Sequence, residues 1–389
     1  MTNITSLFSG IGGLEKGFKS SAHHISLLCE IDPAAQLVLK KHYPEAKLVS
    51  DIATLKDLPA SNIITAGFPC QDLSQAGKKI GIAGSRSGLV SHLFRLIKKA
   101  DKKLDWLVIE NVPYMLSLNH GEAMSFLTDT LSSMGFTWAY RTIDARCFGL
   151  PQRRPRIVLL ASRKHDPRPI LLGRSEDVFK LDGIPLTTDE TAAYGFYWTE
   201  GKRGVGWTKN GVPPIKGGSS IGIPSPPAIW IPSQDYFGTI SLSDAERLQG
   251  FRKGWTSPAA AAPKMKNARW KLVGNAVNTR LSAWLNERIE EESSSFTENL
   301  PKRIVGKWPK AAWGNSHGHY VSDATAWPKK VKCTPILNFL VEPLKPLSHR
   351  ATSGFYSRAL ECTNVVYSER FLTSLEKHIA NHDSGKFTQ

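Results

Sequence analysis

The first part of the chain, from residue 1 to about residue 162, alternates short apolar runs with amphipathic stretches. Residues 87–100 repeat at helical spacing, with Leu89, Leu93 and Ile97 on one face. Four apolar runs between such stretches have the length of buried strands, at residues 25–29, 62–68, 104–109 and 157–161. The alternation predicts an α/β fold with a mixed, mostly parallel sheet and helices on both of its faces.

The pattern changes at about residue 163, where glycine, proline, tryptophan and lysine begin to mix without regular periodicity. Most tryptophans in this stretch are expected to lie in a core rather than to present flat binding surfaces. Helical spacing resumes after about residue 240 and predicts one long helix over residues 275–292. The predicted domains are therefore residues 1–162, a smaller loop-rich domain at 163–240, a further segment at 241–292, and an extension at 296–389.

A single thiol follows one of the apolar runs, in the segment Gly67-Phe68-Pro69-Cys70-Gln71. Glycine and proline end the strand and place Cys70 at its carboxyl end, the edge where open α/β sheets bind ligands. A thiolate at that edge can attack an electrophilic carbon, although a free cysteine has a pKa of about 8.5 and needs activation. The alternative is a small buried hydrophobic residue, because cysteines are often buried without any chemical role.

A glycine-rich turn near the start of the chain leads from a strand-like run into a helical pattern, with Gly10, Gly12 and Gly13 in the turn. The dinucleotide fingerprint has a third glycine where this chain has Glu15, so a nucleoside without a pyrophosphate fits the turn better. Glu30 ends the next run and can accept hydrogen bonds from ribose hydroxyls. Asp51 ends a third run and can accept from an adenine amino group. The alternative for each carboxylate is a helix cap or a solvated loop position.

A carboxyl group and a basic cluster mark two further strand ends. Glu110 follows the apolar run 104–109, and partial desolvation there would raise its pKa towards neutrality, which suits proton donation. Arg153, Arg154 and Arg156 precede the run 157–161, and guanidinium groups suit phosphates and base edges. A strand-end cap and a solvated basic turn are the respective alternatives.

The order of these segments resembles the DNA cytosine-5 methyltransferases, of the kind found in prokaryotic restriction–modification systems. The resemblance spans about residues 1 to 290 and departs from the family at Ser6, where many members carry aspartate. It rests on the glycine turn, Pro69-Cys70-Gln71, Glu110-Asn111-Val112, Gln152-x-Arg154-x-Arg156, Arg247-Leu248-Gln249-Gly250-Phe251 and Gly274-Asn275-Ala276-Val277.

The resemblance implies a Rossmann-like, S-adenosylmethionine-dependent methyltransferase domain, a target-recognition domain at 163–240, and a last helix that returns to the first domain. Cys70 would add to carbon 6 of cytosine and so make carbon 5 nucleophilic towards the sulfonium methyl group. Glu110 would hold or protonate ring nitrogen 3, with Arg154 and Arg156 around the base carbonyl. S-adenosyl-L-methionine, released as S-adenosyl-L-homocysteine, would contact Phe8, Gly10, Ile11, Gly12, Gly13, Glu30, Ile31, Asp51, Ile52, Pro69, Leu89, Asn275 and Ala276.

The charge of the chain agrees with a polyanionic partner. Fifty lysines and arginines against 34 acidic residues give a formal net charge of +16. Double-stranded DNA is the expected partner, with the target cytosine flipped out of the helix. A restriction endonuclease that acts on the same sequence without a stable complex is expected, and the enzyme is expected to act as a monomer. Methylation of transfer RNA by the same fold, or a catalytically silent DNA-binding protein, are the alternatives.

Other features bound the function. Five cysteines without paired spacing indicate neither a disulfide framework nor a zinc site, and no metal is expected. The sequence lacks a secretory pattern and any run of 18 apolar residues, so a cytoplasmic protein with activity at the nucleoid and no membrane association is expected. From Pro301 onward there are 13 lysines and arginines against 6 acidic residues. This extension can either widen the DNA-binding surface or brace the catalytic domain.

Overall fold

A computed structural model describes most of the chain. The described residues are 1–19, 22–69, 88–100, 103–176, 188–200, 204–218, 224–262, 267–291, 296 and 301–387. Cys70 and Gln71 lie outside them.

The larger sheet has its parallel strands at one side and antiparallel strands at the other. The strands are β1 (Thr2–Leu7), β2 (His23–Cys29), β3 (Lys47–Val49), β4 (Ile63–Ala66), β5 (Trp106–Asn111), β6 (Thr137–Asp144) and β7 (Pro155–Ser162). Their order is β6-β7-β5-β4-β1-β2-β3, with β1 to β5 parallel to one another and β7 antiparallel to both β5 and β6. The carboxyl ends of β1, β2, β4 and β5 therefore meet at one edge.

Helices cover both faces of this sheet, as the alternating pattern predicted. They are α1 (Gly13–Phe18), α2 (Pro33–His42), α3 (Leu89–Lys99), α4 (Glu122–Ser133) and α5 (Arg168–Leu171). The helices α1 and α2 pack into the apolar cluster on one face, while α3 and α4 pack into the cluster on the other face. The predicted α/β class is confirmed.

A smaller antiparallel sheet lies outside this first unit. Its strands are β8 (Tyr194–Phe196), β9 (Thr208–Lys209), β10 (Ala228–Ile231) and β11 (Tyr236–Thr239). Trp207 and Trp230 are buried in its core, whereas Trp198 is half-buried. The prediction that most of these tryptophans are core residues is confirmed.

The segment after residue 240 returns to the larger sheet through α6 (Leu242–Leu248), α7 (Ala268–Asn275) and α8 (Thr279–Glu290), of which α8 packs into the same cluster as α1. The single long helix predicted from residue 275 is wrong, because the chain leaves helical geometry after Asn275 and restarts at Thr279. The side chain of Asn278 accepts hydrogen bonds from the amides of Arg280 and Leu281 and so begins a new helix.

The extension contributes to both sheets. The strands β12 (Ala311–Asn315) and β13 (Gly318–Val321) add to the larger sheet beside β6, so that its full order is β13-β12-β6-β7-β5-β4-β1-β2-β3. After α9 (Ile336–Phe339), the strand β14 (Lys345–Pro346) pairs with β11, and α10 (His349–Leu360) and α11 (Glu369–Asp383) follow. We call the larger sheet with its helices the large-sheet body, and the smaller sheet with α10 and α11 the small-sheet body.

Candidate active site

Two neighbouring strand ends hold the segment that leads to Cys70. The side-chain amide of Asn111, at the end of β5, donates to the carbonyl of Phe68 at 3.0 Å. Phe68 is buried, and Pro69 after it is exposed at the edge of the sheet. Asn111 therefore ties the last described turn before Cys70 to the strand that carries Glu110.

Glu110 is paired with one of the predicted arginines. The Nε atom of Arg156 lies 3.1 Å from Oε1 of Glu110, and the Glu110 residue is only 8% exposed. Burial raises the pKa of Glu110 above its ordinary value, and the charge of Arg156 opposes this rise. A Cβ placed on Gly67 would lie 3.7 Å from Oε2 of Glu110, so the backbone of the Cys70 strand passes close to this carboxyl group.

Arg154 occupies a different position from Arg156. It is 1% exposed and donates through Nη1 to the carbonyl of Ile215 at 3.2 Å. Its Nη2 donates to the carbonyls of Gly274 at 2.9 Å and Ala276 at 2.7 Å. Arg154 thus links β7 to the segment before β10 and to the turn after α7. Its role beside a base carbonyl stays a prediction.

The glycine turn has a backbone geometry that restricts which residues it can contain. Gly10 and Gly12 have positive φ of 56° and 81°, and Phe8 adopts the same left-handed region at 59°. A Cβ on Gly10 would meet nothing within 4 Å, so this part of the turn faces open space. A non-glycine residue with φ near +60° is uncommon and strained, which is typical of positions held for function.

The residues around that open space fit a nucleoside cofactor. Glu30 accepts through Oε2 from the amide of Gly10 at 2.7 Å and through Oε1 from the amide of Asp32 at 2.8 Å. Ile31 beside it is 68% exposed, which is unusual for an isoleucine and offers an apolar surface to a flat ring. A carboxylate that can accept hydrogen bonds, an exposed apolar side chain and an accessible glycine backbone are groups that suit ribose and adenine.

The other predicted cofactor residues lie on separate elements. Asp51 accepts from the amide of Ala53 at 2.8 Å and caps the short helix Ile52–Thr54. This contact is the capping alternative named for Asp51, and it does not test a role in cofactor binding. Leu89, half-buried, begins α3. Asn275 is exposed at the end of α7, and Ala276 after it is buried.

Three side chains that the sequence pattern did not indicate hold the carbonyls of the glycine turn. The Tyr43 hydroxyl donates to Gly12 at 2.9 Å, the Trp255 indole to Ile11 at 2.9 Å, and the Ser282 hydroxyl to Gly13 at 2.9 Å. They lie 31, 244 and 269 residues from their partners, so no local spacing relates them.

Two kinds of structure are absent from the described residues. They contain no group of three or more histidine, cysteine, aspartate or glutamate residues arranged to hold a metal ion. Within the same residues no helix is both long and apolar enough to cross a membrane.

Comparison with known proteins finds relatives that belong to one family of enzymes. The family model for C-5 cytosine-specific DNA methylase matches residues 2–184. The Type II methyltransferase M2.BsuMI of Bacillus subtilis (strain 168) is 51% identical over 378 residues, covering 96% of this chain and 97% of that protein. The Type II methyltransferase M.NlaIV of Neisseria lactamica is 35% identical over 176 residues, covering 41% of each chain.

Solved structures show the same fold. A DNMT2 mutant of Spodoptera frugiperda superposes with a TM-score of 0.52 at 18% identity, covering 75% of this chain and all of that one. Methyltransferase EhMeth of Entamoeba histolytica has a TM-score of 0.52 at 16% identity, covering 75% of this chain and 98% of that one. At these identities the likeness concerns the fold alone.

Proposed function

Because this chain belongs to the C-5 cytosine-specific DNA methylases and is a DNA (cytosine-5)-methyltransferase of the Type II restriction–modification kind, we propose that it methylates carbon 5 of one cytosine within a short DNA sequence. The proposed methyl donor is S-adenosylmethionine, which supplies an electrophilic methyl group on sulfur when bound. The proposed reaction proceeds through a covalent bond between Cys70 and the cytosine ring.

The cofactor is proposed to lie over the glycine turn. Gly10 would give it close access to the backbone, because no atom would meet a Cβ there within 4 Å. Glu30 would accept hydrogen bonds from ribose hydroxyls, and Ile31 would cover one face of the adenine ring. The remaining residues proposed for this pocket are Phe8, Ile11, Gly12, Gly13, Asp51, Ile52, Pro69, Leu89, Asn275 and Ala276.

The proposed chemistry divides one difficult substitution into easier steps. The Cys70 thiolate adds to carbon 6, and the electron pair displaced into the ring makes carbon 5 nucleophilic. Glu110 gives a proton or a hydrogen bond to nitrogen 3 and limits the negative charge on the ring. After carbon 5 has been methylated, a base removes the proton from carbon 5. The electron pair left behind forms the carbon 5–carbon 6 double bond and expels the Cys70 thiolate, which restores the aromatic ring.

Arginine side chains would keep this carboxyl group oriented. Arg156 holds Oε1 of Glu110 at 3.1 Å, which leaves Oε2 on the side of Gly67. Arg154, through its bonds to Ile215 and Ala276, would keep the DNA-reading part of the chain at a fixed distance from Glu110. We propose that both arginines act near the base carbonyl.

The target base must leave the DNA stack for this chemistry, since carbon 6 is approached from its face. Unstacking costs about a few kcal/mol, which contacts to the phosphate backbone would supply. A net charge of +16 suits that task. We propose that the enzyme acts as a monomer, that residues 163–240 take part in target recognition, and that a separate endonuclease cuts the same sequence when it is unmethylated.

One observation carries this proposal. The hydrogen bond from Asn111 to Phe68 and the ion pair between Glu110 and Arg156 bring three separately predicted motifs to one edge of the sheet. A buried acid with a raised pKa, next in sequence to the asparagine that holds the segment before Cys70, is the arrangement that cytosine activation needs.

The test is base-resolved mapping of 5-methylcytosine after incubation with S-adenosylmethionine and unmethylated DNA of mixed sequence, with transfer RNA in parallel. We expect methyl groups confined to one short DNA motif. Cys70→Ser should abolish turnover while keeping cofactor binding, whereas Cys362→Ser, a change at a half-buried cysteine of the small-sheet body, should keep full activity. Methylation of RNA alone, or turnover by Cys70→Ser above a tenth of the native rate, would overturn the proposal.

A further inference from the structure

Trp255 connects the cofactor turn to the part of the chain that carries the smaller sheet. Its indole Nε1 donates to the carbonyl of Ile11 at 2.9 Å, and the side chain is buried. The indole ring stacks on His42 with centroids 3.5 Å apart and planes 8° apart. The Nε2 atom of His42 in turn donates to the carbonyl of Trp255 at 2.8 Å. Both the ring and the backbone of Trp255 therefore contact His42 of α2, beside the glycine turn.

The residues on either side of Trp255 are held by Glu246, a fully buried carboxylate on α6. Glu246 accepts from the amide of Gly254 at 2.5 Å and from the amide of Thr256 at 2.8 Å. Arg269 lies 3.2 Å from the same carboxylate and satisfies its charge. A buried carboxylate with these partners holds its surroundings rigidly, because any movement would leave a charge unpaired.

The helix α6, which carries Glu246, also packs against the smaller sheet. It starts directly after β11, and its residues Ala245 and Leu248 share one apolar cluster with Ile229 and Ile231 of β10. A movement of the smaller sheet would therefore reach Trp255 through one helix and one carboxylate.

Two of the other contacts to the glycine turn come from within the first 50 residues. Glu30 holds the amide of Gly10, and Tyr43 holds the carbonyl of Gly12. Both side chains belong to the large-sheet body, although the Tyr43 ring also makes an edge contact with Trp255. Trp255 differs from them because the residues on either side of it are held by Glu246 of α6, and α6 packs on the sheet that would lie against DNA.

We propose that Trp255 is a positioning residue through which DNA on the small-sheet side and cofactor in the glycine turn strengthen each other's binding. This inference rests on the proposed function, since it requires that both ligands bind. DNA that fixes the smaller sheet also fixes α6 and Trp255, and so holds the carbonyl of Ile11 in the geometry that the cofactor needs. By linkage, bound cofactor raises the affinity for DNA by the same factor.

The test measures the dissociation constant of S-adenosylhomocysteine with and without saturating duplex DNA that contains the methylated motif. In the native protein we expect DNA to tighten cofactor binding by about 5- to 100-fold, a usual range for coupled sites. Trp255→Phe keeps the ring on His42 but loses the donor to Ile11. It should bind cofactor within about threefold of the native protein when DNA is absent and should lose most of the tightening.

Tyr43→Phe is the matched control, since it also removes one donor to a carbonyl of the same turn. It should weaken cofactor binding equally with and without DNA and keep the tightening factor. In turnover at saturating DNA, Trp255→Phe should raise KM for S-adenosylmethionine and leave kcat nearly unchanged. If Trp255→Phe does not fold, Glu246→Gln loosens the same segment with the indole intact and should also reduce the tightening.

The two proposals fail in different ways. A native protein that binds neither S-adenosylmethionine nor its product contradicts the proposed function. A native protein that binds both ligands but shows no tightening contradicts the inference alone. Full tightening in Trp255→Phe, or in Glu246→Gln when the first variant is unfolded, contradicts it as well.

Discussion

The large-sheet body and the small-sheet body obtain their cores in different ways. In the large-sheet body most buried side chains come from strands and helices that follow one another within the first 162 residues. In the small-sheet body the aromatic core joins Phe196 and Trp230 to Phe355 and Phe371, which come from helices more than 100 residues further along the chain. The first core is therefore encoded locally, and the second depends on the extension.

Because of this difference, we expect substitutions in the large-sheet body to affect the chemistry and substitutions in the small-sheet body to affect DNA recognition. Of the proposed catalytic groups, Glu110 and Arg156 stand on the strands β5 and β7 of the large-sheet body. None of the described strands of the small-sheet body is longer than four residues, and its core includes residues of the two late helices. The methylase family model ends at residue 184, before the small-sheet body begins, while the Bacillus relative matches nearly the whole chain.

The largest expected effect is a loss of turnover in a protein that keeps its fold. Glu110→Gln keeps an oxygen for Arg156 but cannot supply a proton to the base, so turnover should fall about 10²- to 10⁴-fold. Cofactor binding should stay close to native, although the free energy of unfolding should fall because Arg156 loses its buried ion-pair partner. Steady-state methylation with equilibrium cofactor binding measures both.

Asp105, the residue before the first residue of the same strand, offers a matched control. Asp105 precedes β5 and pairs with Lys164 at 2.7 Å, far along the strand from Glu110. Asp105→Asn removes a carboxylate by an equally small change and should leave turnover near native. A Glu110→Gln enzyme within tenfold of native turnover would contradict the proposed role of this acid.

The second effect concerns the late core. Phe371 is 1% exposed and stacks or makes edge contacts with Phe196, Trp207 and Trp230. Phe371→Ala should destabilise the small-sheet body by about 3–5 kcal/mol and weaken DNA binding, while cofactor binding by the large-sheet body is kept. Chemical denaturation and cofactor titration measure these two quantities.

Val366→Ala is the control for that change, because Val366 is 77% exposed on the same extension. It should change stability by less than about 0.5 kcal/mol. If Phe371→Ala were equally mild, the core of the small-sheet body would not depend on the extension, and the comparison between the two bodies would fail.

A third effect is a pH dependence confined to the small-sheet body. His378 is fully buried on α11, where Nδ1 accepts from the amide of Phe237 at 3.3 Å and Nε2 donates to Leu347 at 3.0 Å. Burial lowers the pKa of His378 to about 4, as does the neighbouring His382, whereas the Leu347 carbonyl opposes this. Only the neutral ring can make both hydrogen bonds.

The sign of the effect follows from which state takes up a proton. In the unfolded chain a histidine has a pKa of about 6.5, so below that pH the unfolded state binds the proton that folded His378 refuses. The stabilisation is complete above about pH 6.5 and is lost as the pH falls towards 4, by up to about 3 kcal/mol. Denaturation at several pH values should show a shallower slope in His378→Gln, and an unchanged slope would contradict the assignment.

The sequence predicts more of the large-sheet body than of the small-sheet body. The reason is again that the first core is encoded locally and the second is not. The runs before Cys70 and Glu110 are apolar on both faces, so their strands and the sheet edge were visible in the pattern. The strand Thr208–Lys209 has two residues, and no periodicity can be read over that length. The pairing of β14 with β11 joins segments over 100 residues apart and has no local signal.

The candidate site shows the same limit. The position of Glu110 at the carboxyl edge of the sheet was expected, because it follows a predicted strand, whereas its ion pair with Arg156 was not predicted. The bonds of Arg154 to Gly274 and Ala276 were not predicted either, since they depend on a break in a helix that was predicted to be continuous. Trp255 could not be linked to Ile11 either, because 244 residues separate them and no local pattern relates them.

The smallest expected effect on stability distinguishes binding from packing within the glycine turn. Gly10→Ala places a Cβ in open space at a φ of 56°, and should cost only the strain of the left-handed region, about 1–2 kcal/mol. Gly12→Ala has the same kind of strain at 81°, but its Cβ would lie 2.4 Å from the ring of Tyr43 and should destabilise the protein further. Thermal unfolding of the two variants gives this order.

Because the space over Gly10 is where the cofactor is proposed to lie, Gly10→Ala should weaken cofactor binding by more than its stability loss implies. Native cofactor affinity in folded Gly10→Ala would place the cofactor elsewhere on the large-sheet body.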